Sequence, residues 1–314
     1  MPRVVIAIGG NSLIPDADHV SVQDQYAAAA ETDDHIATLI HDGWDVAISH
    51  GNGPQVGFIL RRSELASNEL HEIPLDYCGA DTQGAIGYML QQNLVNDFRQ
   101  RGIVKNVATI VTQVEVNADD PAFGAPSKPI GSFMDEAKAM QRRDQDGWDV
   151  KEDAGRGWRR VVASPVPKRI VEIEVIKQLL NAGVVTIATG GGGIPVITNK
   201  DGDLEGVPAV IDKDLVASMM ARQVDADLLL ISTAVEKVAL NFGKPDQEWV
   251  DQFTLAEVKH YLDEGGHFLP GSMEPKMKAV VSFLESGGRE ALITNPQNLE
   301  RALAGETGTR IVKV

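Results

Sequence analysis

Short apolar runs alternate with helical patterns along most of this chain of 314 residues. The apolar runs are rich in β-branched residues and are typical of buried strands. They cover 3–8, 44–49, 106–113, 184–188, 227–232 and 290–294. Amphipathic helices are predicted near 22–42, 54–67, 80–101, 168–182, 213–224, 254–264, 275–286 and 296–303. The alternation predicts an α/β fold, with a mainly parallel sheet sandwiched between helices.

One region, from Glu115 to Pro167, breaks this alternation. It is rich in Pro, Gly, Asp and Trp and carries no long periodic pattern. We therefore predict turns, a small hairpin and a lid there, rather than a unit that builds the sheet. Insertions of this kind usually carry function.

Composition limits the class of protein and of partner. With 43% hydrophobic and 24% charged residues, the chain is globular and long enough for one large domain or two ordinary ones. A formal net charge of −16 argues against binding to nucleic acids or anionic membranes. Any phosphate pocket must therefore be built locally, from main-chain N–H groups and a few lysines.

The sequence also indicates a cellular compartment. The N-terminal apolar run is too short for a signal peptide, and no run approaches the roughly 18 apolar residues of a membrane span. Cys78 is the only cysteine, so no intrachain disulfide or cysteine metal site can form. We therefore expect a cytoplasmic protein.

Three predicted strands end in glycine-rich turns, "IAIGGNS", "AISHGNGPQVG" and "TIATGGGGIPV". In an open parallel sheet, the carboxyl ends of the strands line the ligand crevice, and glycine there lets the main chain approach a ligand. Any single turn could simply end a strand, but three in one chain favour a binding site. None matches a P-loop, and Pro195 stands where a dinucleotide-binding motif needs its last glycine.

Two lysines occupy helix starts, where the partial positive charge disfavours them. Lys213 lies between two aspartates, and Lys276 follows Pro275. A third, Lys128, lies between two prolines in the predicted lid. Each has an ordinary interpretation, namely pairing with flanking aspartates for Lys213 and exposure to solvent for the other two. The alternative is that all three face a bound polyanion.

Phosphoryl transfer needs alignment and positive charge around the moving group, so glycine turns and lysines suit it. Asp214 is the candidate for orienting lysines or a magnesium ion, although an aspartate at a helix start is also a common cap. His50 could act as an acid or base, but beside a glycine turn a structural role is favoured. Cys78 is expected to be a packed core thiol, and Trp148 and Trp158 are expected to form a small core within the insertion.

Taken together, the motifs resemble those of carbamate kinases, within the amino acid kinase superfamily. They occur in the order and approximate spacing of that family across essentially the whole chain. The motifs are "AIGGN", "SHGNGPQVG", "PLDYCGADTQGAIGY", "SKPIG", "KEDAGRGWRRVVASP", "GGGGIPV", "VIDKD", "NFGKP", "GHFLPGSMEPK" and "ALIT".

The resemblance implies a three-layer αβα sandwich with a small protruding lid subdomain. It also implies a homodimer and Mg²⁺-dependent phosphoryl transfer between ATP and carbamate, giving ADP and carbamoyl phosphate. Residues 1–206 would form the carbamate lobe, with the lid inserted at about 115–167, and 207–314 the nucleotide-binding lobe. Mg²⁺ would be carried with the nucleotide, and no metal ligand of the protein is assigned.

Residue roles follow from the same resemblance. Lys128 corresponds to the lid lysine that reaches over the transferring phosphate, Lys213 to a second phosphate ligand, and Asp214 to the organising aspartate. Lys276 corresponds to the lysine that holds the nucleotide phosphates. The predicted substrate-binding residues are Gly9, Gly10, Asn11, Gly51, Asn52, Gly53, Gly190, Gly191 and Gly192. The predicted nucleotide-binding residues are Lys213, Thr233, Val235, Val238, Gly271, Met273 and Lys276.

Two departures from relatives matter. Ala7 stands where many members of the superfamily carry a lysine before the first glycine pair. This difference weakens acetylglutamate kinase and aspartokinase interpretations and suits carbamate kinases, in which the lid lysine supplies the charge. Glu236 and Lys237 stand where some members carry Asp-Tyr, which leaves the adenine contacts open.

The resemblance implies a reaction that needs no general base, because carbamate is already an oxyanion. The expected role is ATP formation from carbamoyl phosphate in arginine (deiminase pathway) or purine catabolism, with carbamoyl phosphate supply for biosynthesis as the reverse direction. Two other functions stay open: an enzyme of the same fold with another carboxylate, phosphate or phosphonate acceptor, and a catalytically idle nucleotide or metabolite sensor.

Overall fold

A computed structural model describes residues 1–14, 16, 18–152 and 157–314, without the side chains of Asn11, Ser12 and Ser132. Part of the motif "KEDAGRGWRRVVASP" and the Asn11 side chain thus lie outside the described residues. The strands are β1 (Arg3–Ile8), β2 (Asp45–His50), β3 (Val107–Thr109), β4 (Gln113–Val116), β5 (Lys128–Met134), β6 (Val150–Glu152), β7 (Trp158–Val162), β8 (Pro167–Ile170), β9 (Val185–Ile187), β10 (Ile194–Thr198), β11 (Leu204–Gly206), β12 (Leu228–Ser232), β13 (Val238–Leu240), β14 (Glu248–Val250), β15 (Gln252–Thr254), β16 (Glu290–Thr294) and β17 (Thr309–Val312).

The helices match most of the predicted amphipathic segments. Their ends carry the expected signals, such as the capping boxes at Ser21 and Thr254 and the left-handed Gly102 after the longest helix. The α-helices of the described residues are α1 (Val22–His41), α2 (Gly53–Ala66), α3 (Leu75–Arg101), α4 (Glu136–Asp146), α5 (Ile173–Asn181), α6 (Lys213–Gln223), α7 (Leu255–Glu264), α8 (Met273–Glu285) and α9 (Leu299–Leu303).

The central sheet has the order β15-β17-β16-β12-β1-β2-β9-β3 in the part of the chain that is described. Its pairs are parallel except for β16 with β17. The prediction of a mainly parallel α/β sheet is therefore confirmed. The carboxyl ends of β1, β2, β9 and β12 lie side by side, which brings the turns that follow them to one edge.

Alternate residues of the central strands enter two separate cores. In β1, Val5 and Ala7 pack with residues of α5, α6 and α8, whereas Val4, Ile6 and Ile8 pack with residues of α1, α3 and α9. All five are fully buried, and each large side chain of this kind contributes about 1.5–3 kcal/mol relative to exposure. The sheet thus separates two helical layers, which confirms the three-layer sandwich.

The lid contains more regular structure than the sequence predicts. Strands β5, β7 and β6 form an antiparallel sheet, and α4 packs against it. The predicted small hairpin is present in β6 and β7, whereas the pairing of β5 with β7 and the helix α4 were not predicted. Helix α4 escapes periodicity arguments because Ala139 is its one buried residue. Its caps were readable, since Asp135 accepts a hydrogen bond from the N–H of Lys138 and Gly147 adopts φ +67°.

The chain between 106 and 116 divides between two sheets. Strand β3 joins the central sheet, whereas β4 joins a second sheet of order β11-β10-β4-β8. The predicted helix 168–182 is correspondingly wrong at its start, where β8 lies. Lys168 and Arg169 both bind Glu115 of β4, and these ion pairs at 2.9 Å hold the segment extended.

The division at residue 206 stays a prediction. The central sheet is continuous across it, because β12 pairs with β1 along its length. Among the described residues, no helix has the length and apolar character needed to cross a membrane.

Candidate active site

A cleft of about 240 Å³ lies at the carboxyl edge of the central sheet, beneath the lid. It gathers glycine main chain, lysines and aspartates from distant parts of the chain. The predicted residues that line it are Gly9, Gly10, Gly51, Asn52, Gly53, Lys128, Gly191, Lys213, Asp214, Thr233, Gly271 and Lys276. The main chain of Asn11 continues from Gly10 into a 3₁₀ turn.

The floor of the cleft is main chain packed on main chain. A Cβ at Gly51 would lie 2.6 Å from the Gly10 nitrogen, and one at Gly10 would lie 3.3 Å from the Gly53 nitrogen. The N–H of Gly51 donates to the carbonyl of Ile8 at 2.8 Å, which ties the second turn to the end of β1. Side chains at these positions would therefore force the two turns apart.

The third glycine run divides its residues between the cleft and the core behind it. Gly191, at φ +68°, lines the cleft, and a Cβ there would lie 2.1 Å from Asn52 Nδ2. Gly190 packs instead against the His50 ring and Gly192 against the Ile211 carbonyl, and both are buried. Of the three glycines in this run that were predicted to bind substrate, the structure brings Gly191 to the cleft and places Gly190 and Gly192 behind it.

Buried amides hold these turns in place. Asn52 donates from its side chain to Thr82 Oγ1 at 2.8 Å, so it faces the cleft with its main chain. Gln83 donates to the carbonyls of Gly190 and Thr112 at 2.9 and 3.0 Å. Gln83 escaped the sequence analysis as a functional candidate, although it lies in the quoted motif "DTQG".

Two helix starts line the cleft. Gly53 and Pro54 begin α2, and no hydrogen bond from the Asn52 side chain caps this end. Gly271 precedes α8, whose N-cap residue Ser272 likewise makes no side-chain cap. At α8 the N–H of Glu274 already donates to the carbonyl of Leu269 at 3.1 Å, so this end contributes mainly its dipole, which favours a bound anion.

Asp214 joins the two lysines that the sequence places at helix starts. Its Oδ1 accepts from Lys213 Nζ at 2.6 Å and its Oδ2 from Lys276 Nζ at 3.1 Å. The Asp214 side chain is only 4% exposed. It is not the helix cap, because Asp212 accepts from the N–H groups of Asp214 and Leu215. Asp214 thus pairs with both lysines, and its role as their organiser stays a prediction.

The lid lysine completes the group. Lys128, the first residue of β5, places its Nζ 2.9 Å from Asp212 Oδ2. Asp212 was not predicted as a site residue, and its adjacency to Lys213 in sequence was the available signal. Lys128, Lys213 and Lys276 thus converge from the lid, α6 and α8 on two adjacent carboxylates.

The electrostatics of the site follow from burial and pairing. Burial alone would raise the pKa of Asp214, but the attraction of Lys213 and Lys276 outweighs it and holds that pKa well below its ordinary value. Burial lowers the pKa of Lys213, although Asp214 opposes the shift. Burial also lowers the pKa of His50 to about 4, so this side chain is neutral near pH 7. Its place behind the cleft fits the structural interpretation.

The predicted nucleotide residues extend beyond the cleft. Val235 and Met273 line a neighbouring pocket of about 70 Å³, together with Phe242 and Trp249, whose rings meet edge to face at 6.1 Å. Val238 is fully buried in the core and lines neither space. Phe242 and Trp249 were not predicted, because their meeting across the β13–β14 ribbon is a tertiary contact.

Glu236 and Lys237, where the adenine contacts were left open, lie at the edge of this neighbouring pocket. Glu236 accepts a hydrogen bond from the Thr307 hydroxyl. Lys237 lines the pocket of about 70 Å³ and is paired with Asp251 at 2.5 Å.

Another cavity is larger than the proposed active-site cleft. A space of about 700 Å³ lies between α2 and the lid, near Trp148, where Arg160 stacks at 4.8 Å and pairs with Glu64. Its cations already have partners, and the lysines and glycine turns converge elsewhere. The described residues contain no group of three or more His, Cys, Asp or Glu side chains suited to a metal ion. Cys78 is buried, which raises its pKa to about 11 and fits a packed core thiol.

Comparison with known proteins agrees with this geometry. The amino acid kinase family matches the chain over residues 2–295. The carbamate kinase-like protein YahI of Escherichia coli is 50% identical, over 99% of this chain and 98% of its own length. The carbamate kinase of Thermococcus kodakarensis is 48% identical over 100% of both chains.

Solved structures show the same relationship. Carbamate kinase from Giardia lamblia bound to AMP-PNP superposes with a TM-score of 0.90 at 39% identity, over 99% of this chain and 98% of that structure. Sequence and structure comparisons thus cover the whole chain, including the lid and both sides of the cleft. The chain belongs to the carbamate kinase group of the amino acid kinase family and is a phosphotransferase.

Proposed function

We propose that the chain catalyses reversible phosphoryl transfer between ATP and carbamate, giving ADP and carbamoyl phosphate. The observation that carries this proposal is the convergence of three lysines from separate elements on one glycine-walled cleft. Positive charge and main-chain N–H groups around a compact space are what a transferring phosphoryl group needs. The acceptor class follows the names of the relatives.

The mechanism follows from the position of each group. Carbamate is an oxyanion and binds beside the N–H groups of the first two glycine turns, where the start of α2 favours a negative charge. Lys276, at the start of α8, neutralises the nucleotide phosphates. Lys213 lies between the two sites, and Asp214 fixes the directions of both lysines.

Lys128 would act through the lid. The side chains of its ion pair with Asp212 are 26% and 22% exposed, and an arriving phosphoryl group competes for the same ammonium. In-line transfer then proceeds with donor and acceptor held on opposite sides of the moving group. Because the nucleophile carries no proton to remove, the proposed reaction needs no general base.

The residues of the cleft do not fit a dedicated magnesium cage. Both carboxylates that line it, Asp212 and Asp214, are ion-paired with lysines. We therefore assign Mg²⁺ to the bound nucleotide, where it would add positive charge near the phosphates. No step above passes through a metal held by the protein.

The base of the nucleotide is assigned to the pocket of Phe242 and Trp249. This pocket is apolar and lies next to the cleft, because Ala234 lines the cleft and its neighbour Val235 lines the pocket. Aromatic side chains there suit a flat purine ring. ATP formation in arginine or purine catabolism, a homodimer and a cytoplasmic location complete the proposal, on the basis of the family resemblance.

The deciding experiment is a coupled assay of ATP formation from ADP and carbamoyl phosphate, with and without Mg²⁺. We expect turnover that depends on Mg²⁺, and far slower phosphorylation of N-acetylglutamate or aspartate by ATP. Preference for one of those acceptors would contradict the proposed substrate. Binding of ADP without turnover of any acceptor would contradict catalysis and indicate a nucleotide sensor.

A further inference from the structure

A main-chain contact between Gly57 and Gly131 joins the lid to the body of the protein. Gly57 is the fifth residue of α2, and a Cβ there would lie 2.2 Å from Gly131 Cα and 2.6 Å from its nitrogen. Cβ atoms essentially never come within 3.0 Å of such neighbours. Because the opposing atoms are main chain, they cannot rotate away. We call this pair of glycines the lid seat.

The lid side of the seat is held firmly. Gly131 adopts φ +70°, and its carbonyl accepts from Arg159 Nη2 at 2.9 Å. Its neighbour Ile130 is 1% exposed and packs in a small core with Val56 of α2 and Val162 of β7. The contact is therefore a fixed point of β5 and not a loose surface approach.

The seat is mechanically connected to the cleft at both ends. Lys128 lies three residues before Gly131 on the same strand, about 10 Å away along it. Gly57 lies one turn after Gly53 and Pro54, which line the cleft at the start of α2. One helix thus lines the cleft with its first residues and supports the strand that carries the lid lysine.

We propose that Gly57 is a positioning residue: by contacting Gly131 it sets the separation of β5 from α2 and so places Lys128 over the cleft. The kinetic part of this proposal rests on the proposed phosphoryl transfer. Gly57 acts through Lys128 and does not touch the reacting atoms. Glycine is required at this position by the neighbouring chain, since an α-helix itself would favour alanine.

The first test is Gly57→Ala. Ordinary contact begins near 3.4 Å, so β5 must retreat by about 1 Å, and a misplacement of that size costs about 10²-fold in rate. We expect kcat for ATP formation to fall about 100-fold, with the KM for ADP changed by less than about 3-fold. An unchanged kcat would overturn the proposal.

A double variant separates positioning from general damage. If Gly57 acts through Lys128, the variant that combines Gly57→Ala with Lys128→Ala should be no slower than Lys128→Ala, within about 2-fold. If the fold-loss of kcat in the double variant equals the product of the losses in the two single variants, the effects are independent and the proposal is overturned. Gly131→Ala acts differently: a Cβ there would lie 3.9 Å from Gly57 Cα, so it does not clash at the seat, but the φ of +70° strains β5 at this point. Its loss of kcat should also be absent in the Lys128→Ala background. It serves if Gly57→Ala does not fold.

Two glycines of α3 provide matched controls. A Cβ at Gly87 would lie 2.2 Å from Thr109 Cγ2, a clash at the same distance that meets a side chain of the central sheet instead of the main chain of the lid. At Gly84, which is exposed, a Cβ meets no described atom within 4 Å. Gly87→Ala should lower Tm and Gly84→Ala should not, while both keep kcat within about 2-fold. An equal loss of kcat in Gly87→Ala would overturn the positioning role.

Hydrogen exchange tests the seat without any substrate. Amides of β5 should exchange faster in Gly57→Ala than in the parent protein, while those of β16, in the central sheet, should not change. If the amides of β5 exchange at an unchanged rate in Gly57→Ala, the proposed role of the lid seat is overturned, even if activity falls. Absence of carbamoyl phosphate turnover in the parent protein would instead contradict the proposed function, and the exchange measurement would still decide the seat.

Discussion

The two ends of the proposed nucleotide site are built in opposite ways. Under the transferring group, main chain packs on main chain, as Gly51 does on Gly10. In the base pocket, side chains form the surface, and Phe242 and Trp249 are 45% and 50% exposed. The first region is fixed before any ligand arrives, whereas the second can adjust to its ligand. Under the proposed function, the rigid region therefore lies where charge moves, and the base is recognised by side chains.

The largest loss of activity should come from removal of a positive charge beside the rigid region. Lys128→Ala is expected to lower kcat about 10²- to 10³-fold, because one electrostatic donor to a transferring group is worth about 3–4 kcal/mol. The KM for ADP should change little, since the lid lysine is assigned to the moving phosphoryl group. Steady-state kinetics with carbamoyl phosphate and ADP measure both quantities.

A second lid lysine provides the control for this prediction. Lys138 of α4 binds Gln141 and lies outside the cleft lining, so Lys138→Ala should keep kcat within about 2-fold. A loss of ADP binding in Lys128→Ala that matched its loss of turnover would contradict the lid assignment.

A side chain added to the glycine wall of the cleft should cause the next largest loss of activity. Gly191→Ala introduces strain at φ +68° and drives a Cβ towards the buried Asn52 amide. We expect kcat/KM for carbamoyl phosphate to fall about 10²-fold, because the turn must move by about 1 Å. Gly183→Ala is the matched control, since Gly183 has φ +78° and a Cβ there meets no described atom within 4 Å. It should lose about 1 kcal/mol of stability and keep its activity.

The packed wall also predicts a dependence of stability on pH. His50 has a pKa of about 4 in the folded protein and about 6.5 when unfolded, so the unfolded chain takes up the proton first on acidification. The contribution is complete above about pH 6.5 and is lost as the pH falls towards 4. Between pH 7 and 5, the parent protein should lose about 2 kcal/mol more unfolding free energy than His50→Gln. Urea unfolding at both pH values measures this difference, and identical slopes would exclude His50 as its source.

A substitution in the pocket of Phe242 and Trp249 should have the smallest effect on the kinetics. Trp249→Ala is expected to raise the KM for ADP about 5- to 10-fold, roughly 1 kcal/mol, through loss of apolar contact. The kcat and the KM for carbamoyl phosphate should stay within about 2-fold, which provides an internal control. A fall in kcat comparable with that of Lys128→Ala would remove the distinction between the two regions.

Local signals made most of the fold and half of the site predictable. Strand and helix periodicity, together with caps such as Ser21, placed the sandwich correctly. Lys213 and Lys276 were recognisable because a lysine at a helix start is unfavourable without a partner. Lys128 was recognisable from its flanking prolines.

Tertiary contacts account for what the sequence did not reveal. The pair of Lys128 with Asp212 spans 84 residues, and no local pattern encodes it. Gly190 and Gly192 look like Gly191 in sequence, and only the packing of His50 and Ile211 separates them. Helix α4 lacks an apolar face because it covers a small sheet and not the main core.

The charges of the cleft have a consequence for how substrates arrive. Three lysines and two aspartates leave the described lining with one net positive charge, inside a chain of formal charge −16. An anionic nucleotide is therefore repelled by the molecule at a distance and attracted only close to the cleft. At physiological ionic strength the screening length is about 8 Å, which hides the distant acidic residues from the nucleotide while the buried lysines keep their effect. Physiological salt thus allows an anionic nucleotide to reach the cleft, whereas at low ionic strength the net negative charge of the protein would repel it.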